Sequence, residues 1–103
     1  MINSIVANIS ADTTVDIFND KEVNVAIKSI WIYNNNDNVS KLLLSFTQPV
    51  DTPILNLEIQ PKETIFIDSD LYVPIQNYLS AYSDNGLTVV FSFIEDSRTN
   101  TIS

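Results

Sequence analysis

A chain of 103 residues is the size of one domain, and no cysteine is present to brace its single core with disulfides. Histidine is absent as well, which excludes thiolate nucleophiles, imidazole bases and the usual zinc ligand sets. The net charge of −8, from 5 basic and 13 acidic residues, argues against nucleic acid and anionic membrane surfaces as partners. Charged residues are only 17% of the chain, against roughly 25% in an average soluble domain, so the surface is easily shared with neighbours. Neither a basic leader with an apolar stretch nor an apolar run of about 20 residues occurs, and a soluble protein is expected.

Apolar residues recur with period two along almost the whole chain, and no window of about a dozen residues sustains helical spacing. The expected class is all-β: an antiparallel β-sandwich, jelly-roll-like, of roughly seven to nine strands. It forms a single domain over residues 1–95, followed by a polar C-terminal tail over 96–103. Ile5, Ala7 and Ile9 mark the first strand. Val15-Asp16-Ile17-Phe18 marks the second, ending in the polar turn Asn19-Asp20-Lys21-Glu22. The longest strand runs from Val23 to Asn34, with Val23, Val25, Ile27, Ser29, Trp31 and Tyr33 on its apolar face. Its even positions begin polar at Asn24 and Lys28 and finish apolar at Ile30 and Ile32. That drift points to a bulge, or to a strand half covered on its second side.

Asn34-Asn35-Asn36-Asp37-Asn38 is a loop, because asparagine accepts left-handed backbone angles and caps its own turn. Leu42, Leu44 and Phe46 precede Gln48-Pro49, and Pro49 and Pro53 bracket a short connection to Leu55, Leu57 and Ile59. Pro61-Lys62 turns the chain into Glu63–Asp68, with Ile65 and Ile67 inward. Asp68-Ser69-Asp70 reads as another turn before Leu71-Tyr72-Val73 and Pro74. The last element reads as a hairpin, Tyr78–Ser83 and Leu87–Glu95 joined by Asp84-Asn85-Gly86. Asn-Gly takes the positive φ angles of a two-residue turn, and Gly86 is the one glycine in the chain. Leu87, Val89, Phe91 and Phe93 then share one face, while Thr88, Val90, Ser92 and Ile94 share the other, itself half apolar.

A single sandwich core covers only one face of each strand. A second apolar face, read as Ile30, Ile32, Leu43, Val90 and Ile94, therefore needs a partner or a covering segment of the chain's own termini. Phe66 and Tyr72 join these candidate interface residues because they oppose the inward Ile65, Ile67 and Leu71, whereas Trp31 and Tyr33 are assigned to the core. Self-association is the expected solution, since symmetric oligomers are the commonest. Asp68 and Asp70, with Glu63 and Asp84 elsewhere, offer oxygen ligands of the kind calcium takes, but without EF-hand-like spacing turn capping is the expected role. The acids fall mostly in turns, not in a pair across a groove, and no activating base accompanies the serines and threonines. No catalytic residue, cofactor or metal is expected.

The order Ile30-x-Ile32-x-Asn34, a polar loop, a strand and Leu57-x-Ile59-x-Pro61-x-Glu63-Thr64 is followed by Leu71-x-Val73, Leu79-x-Ala81 and Val89-Val90-x-Ser92-x-Ile94-Glu95. Over roughly residues 23–95 this spacing resembles the small β-sandwich virion proteins of tailed bacteriophages, which include head-decoration, head-fibre and tail-associated subunits. The chain departs from that pattern at Gln76-Asn77, where such proteins often carry Gly-Asp. The resemblance implies a non-enzymatic structural role in a virion assembled in the host cytoplasm. It also implies a homo-oligomer, commonly a trimer, docked on capsid or tail subunits. The alternative is a carbohydrate- or host-surface-binding module displaying Trp31, Tyr33 or Tyr72 in a line. A third reading, a negatively charged mimic of nucleic acid, is ranked last because the acids are scattered through turns and form no continuous stripe.

Overall fold

Eight strands form two four-stranded antiparallel sheets in the computed structural model, which describes residues 2–18, 23–47, 51–74 and 78–96. They are β1 (Asn3–Ile9), β2 (Thr13–Ile17), β3 (Asn24–Tyr33), β4 (Ser40–Phe46), β5 (Thr52–Ile59), β6 (Thr64–Val73), β7 (Leu79–Ser83) and β8 (Leu87–Asp96). The pairings nest: β4 with β5, β3 with β6, β2 with β7 and β1 with β8. Such a chain is one long ribbon folded back on itself. It is rolled so that β8 also meets β3 and β7 also meets β4, giving sheets ordered β1-β8-β3-β6 and β2-β7-β4-β5. That is the jelly-roll arrangement of a β-sandwich, and the all-β class read from the sequence is the observed one.

Inward side chains of both sheets interdigitate into one core, where Phe91, Ile27, Ile32, Leu42, Leu44, Ile59 and Leu79 are fully buried. Phe18 stands edge-on to Phe91 and Phe93, with ring centroids 6.0 and 4.8 Å apart. It closes the core beyond the end of β2.

The alternation breaks in β3. Val25 and Ile27 face inward, but the register against β8 slips between Ile27 and Ser29, so Lys28 is one residue too many. A side-chain period of two means that one extra residue inverts everything beyond it. Ile30 and Ile32 therefore point into the core at 3% and 0% exposure, while Trp31 and Tyr33 point out at 49% and 38%. Ile30 and Ile32 thus leave the set of candidate interface residues, and Trp31 and Tyr33 leave the core.

Two more expectations are corrected. Asp68-Ser69-Asp70 is not a turn, because β6 runs without interruption through it. The polar residues Ser69 and Asp70 stand where β6 also shifts register, opposite Lys28. The Ser69 hydroxyl there accepts the Leu71 N–H at 2.9 Å, and Lys28 pairs with Asp70 at 3.4 Å. Nor do β7 and β8 form a hairpin. They belong to opposite sheets, and Asp84-Asn85-Gly86 carries the chain from one to the other. The polar turn expected at 19–22, the Gln48-Pro49 bend, Gln76-Asn77 and the tail from residue 97 lie outside the described residues.

Gly86 sits at φ +96°, and a Cβ there would approach the Ile9 carbonyl oxygen to 3.1 Å. Both facts fix glycine in this arch, since an L side chain rarely takes that angle. Gly86→Ala is expected to lower unfolding free energy by about 2 kcal/mol, read from urea denaturation. A loss under about 0.5 kcal/mol would mean that the arch relaxes freely.

Candidate interaction surface

The outer face of β1-β8-β3-β6 is assembled by register. Val6 lies opposite Val90, Val90 opposite Trp31 and Trp31 opposite Phe66, so one apolar row crosses all four strands. Trp31 and Phe66 touch edge to face, with centroids 5.2 Å apart at 70°. A row of Asn8, Thr88, Tyr33 and Thr64 flanks it on one side, and a row of Ser4, Ser92, Ser29 and Asp68 on the other. Beyond the bulge, Ile94, Ala26 and Tyr72 continue the face. Across the three complete rows Asp68 is the sole side chain charged at neutral pH, in a chain of net charge −8.

The apolar row is not flat. Trp31, Tyr33, Thr64, Thr88, Val90 and Ser92 enclose a shallow cleft of about 240 Å³. Aromatic walls and hydroxyl-bearing rims meet there.

The outer face of β2-β7-β4-β5 is different in kind. Its rows read Thr14, Tyr82, Leu43, Asn56 and Asp16, Ser80, Ser45, Pro53, with Lys41 opposite Glu58. Leu43 is half buried on this polar face, so it does not join Val90 and Ile94 as expected. Phe66, Tyr72, Val90 and Ile94 do share one face; beside them stand Val6, which the sequence reading missed, and Trp31 and Tyr33, which it placed outward only in the carbohydrate-binding alternative. The missed signal is Lys28-Ser29: two adjacent polar residues inside an alternating strand mark the place where parity changes.

Three of the carboxylates singled out as calcium candidates, Asp70, Glu63 and Asp84, have protein partners. Glu63 accepts the Gln60 N–H at 2.8 Å, and Asp84 accepts the Lys41 N–H at 2.7 Å, which holds its carboxyl below the usual carboxylate range. Asp12 accepts the Tyr82 hydroxyl at 2.8 Å and pushes that phenol up. Among the described residues no group of three or more histidine, cysteine or acidic side chains is placed to hold a metal.

No protein-family model and no curated relative matches this sequence. Among solved structures, the chain is similar to one in "Structure of infectious bursal disease virus Gx strain", at 5% identity and a TM-score of 0.33. The match covers 92% of this chain and 32% of that one, so this chain spans about a third of its length.

Proposed function

We propose that the protein is a non-enzymatic structural subunit of a virus particle, of the head-decoration, head-fibre or tail-associated kind that the sequence resembles in tailed bacteriophages. It would assemble with sister copies, three in the arrangement that the resemblance implies, and dock on other virion proteins. Jelly rolls serve both capsids and lectins, so the fold does not choose between them. What supports assembly is one observation: the aromatic outer face of β1-β8-β3-β6, whose three complete rows carry one charged side chain, Asp68, with the Lys28–Asp70 pair beside them at the bulge. Depletion of charge with enrichment of aromatics marks the centre of protein interfaces. Strand and residue spacings give this face roughly 500 Å² per copy, enough for two copies to reach about the lower limit of a stable interface. The polar opposite face and the net charge of −8 would keep the exterior of such an assembly soluble.

The test is the oligomeric state of the double substitution W31S/F66S, measured by light scattering at about 50 μM. Wild type is expected to form the larger assembly and the variant to lose the copies held through this face, at nearly unchanged melting temperature. Loss of buried aromatic anchors weakens association by about 30-fold or more. A wild-type protein that stays monomeric and binds no virion component would defeat the proposal.

The cleft favours a second reading, a carbohydrate- or host-surface-binding module. Trp31 and Tyr33 are exposed on one strand and line the cleft with Thr64, Thr88 and Ser92, aromatic and hydroxyl side chains of the kind on which a sugar ring stacks and hydrogen-bonds. Glycan-array binding by wild type that disappears in Trp31→Ala, with the oligomeric state intact, would establish it.

A further inference from the structure

Four strands form the edges of the two sheets: β1 and β6 of one, β2 and β5 of the other. An edge strand offers a row of unpaired N–H and C=O groups to any other chain, and soluble proteins blunt such edges with charge, proline, bulges or brevity. Three edges here are blunted. β2 is five residues long and contains Asp16. β5 contains Pro53 and Glu58, and the register shifts where β4 meets it. β6 carries Asp68 and Asp70 and the shift opposite Lys28. β1, with the sequence Asn-Ser-Ile-Val-Ala-Asn-Ile, has no charged residue, no proline and no break in its register with β8.

The core is also open beside β1. Ile5 and Ala7 face inward and pack on the core, yet remain only half buried, and Val6 on the outer side is 58% exposed. A further strand along this edge would cover all three.

We propose that β1 pairs antiparallel with the β1 of a second copy about a two-fold axis at Val6, fusing two β1-β8-β3-β6 sheets into one continuous sheet. This edge shares Ser4, Val6 and Asn8 with the outer face discussed above, and the contact stands whether that face binds protein or sugar. From Ser4 to Asn8 the strand reads polar, apolar, apolar, apolar, polar in either direction, so it is complementary to itself. In that register Ser4 faces Asn8, Ile5 faces Ala7 and Val6 faces its own copy. Each pair joins residues of the same parity, which keeps Ile5 and Ala7 on the core side in both copies and brings no like charges together. The apolar row of Val6, Val90, Trp31 and Phe66 would then run unbroken through both molecules.

The register supplies the test. Ser4 and Asn8 are exposed polar positions, so substitution there spares the core. S4K/N8K places lysine opposite lysine twice, whereas S4K/N8D places lysine opposite aspartate twice. The first variant is expected to raise the dimer dissociation constant about tenfold or more, measured by sedimentation, and the second to stay within about threefold of wild type. Amide exchange over residues 3–9 should slow with protein concentration in wild type and S4K/N8D, but not in S4K/N8K. W31S/F66S should retain that β1 protection, which separates this contact from assembly through the outer face. Concentration-independent exchange in wild-type β1 would overturn the proposal. So would identical behaviour of the two charge variants, or β1 protection that appears only when a different protein is added.

Discussion

Ile32→Ala is expected to lower unfolding free energy by about 3 to 4 kcal/mol, while Trp31→Ala, one residue away and larger, lowers it by less than about 1 kcal/mol. Size and hydrophobicity alone would rank them the other way round. Ile32 has no exposed surface and lies opposite Val89 on one side and Ile65 on the other, so truncation leaves a cavity between two strands. Trp31 is half exposed and loses chiefly its edge contact with Phe66. Urea denaturation of both variants, followed by circular dichroism, checks the order. The reverse order would put Trp31 in the core and remove the bulge at Lys28 on which the outer face depends.

The same residues show what a period-two pattern can reveal. It tells inward from outward wherever parity is unbroken, which is why Leu87, Val89, Phe91 and Phe93 were legible as core and Val90, Ile94, Phe66 and Tyr72 as outward. In β3 both faces are apolar in part, and the drift from Asn24 and Lys28 to Ile30 and Ile32 announced an irregularity without saying which half faces the core. That choice is made by the opposing strands, since Ile30 and Ile32 meet Phe91 and Val89 of β8.

Parity also says nothing about which sheet a strand joins. Leu43 points outward as expected, but from the sheet opposite Val90. The Asn85-Gly86 signal holds in its local backbone for Gly86 alone, since Gly86 has positive φ and Asn85 does not, and the turn serves a crossing between sheets. Turn chemistry fixes local angles, and β8 is placed instead by its long pairings with β1 and β3. Asp68-Ser69-Asp70 misled for a related reason: three polar residues usually mean a turn, but a bulge lets a strand carry them.

The asparagine run conceals the other large effect. Asn34→Ala is expected to lower unfolding free energy by about 3 kcal/mol, although the residue lies in a segment that reads as a solvent loop. Asn34 is fully buried, and its amide hydrogens are shared among the carbonyl oxygens of Asn38, Ile59 and Gln60 at 2.8, 3.0 and 3.2 Å. Its Oδ1 accepts the Asn36 N–H at 2.9 Å, and Asn36 in turn donates to the carbonyls of Asn85 and Gly86. The Ser40 hydroxyl donates to the Gly86 carbonyl and so accepts from the Ser83 hydroxyl, and the Asn85 amide donates to the Val39 carbonyl. These bonds tie together three connections that cross between the sheets: β3 to β4, β5 to β6 and β7 to β8. Between the sheets themselves only side-chain packing acts, so this end of the sandwich supplies the directional contacts.

Asn34→Asp sharpens the test because it keeps the shape and removes the donors. A carboxylate there would face carbonyl oxygens, so its folded-state pKa would rise above the unfolded value and the native state would bind the proton more tightly. Stability relative to wild type would then fall as pH rises through that range. The deficit at pH 7 should exceed that at pH 4 by about 1 kcal/mol or more, as the protonated acid regains one donor. Urea melts of wild type and variant at both pH values measure it. A deficit that is the same at both, or an alanine variant within about 0.5 kcal/mol of wild type, would mean that the crossings are held by apolar packing alone.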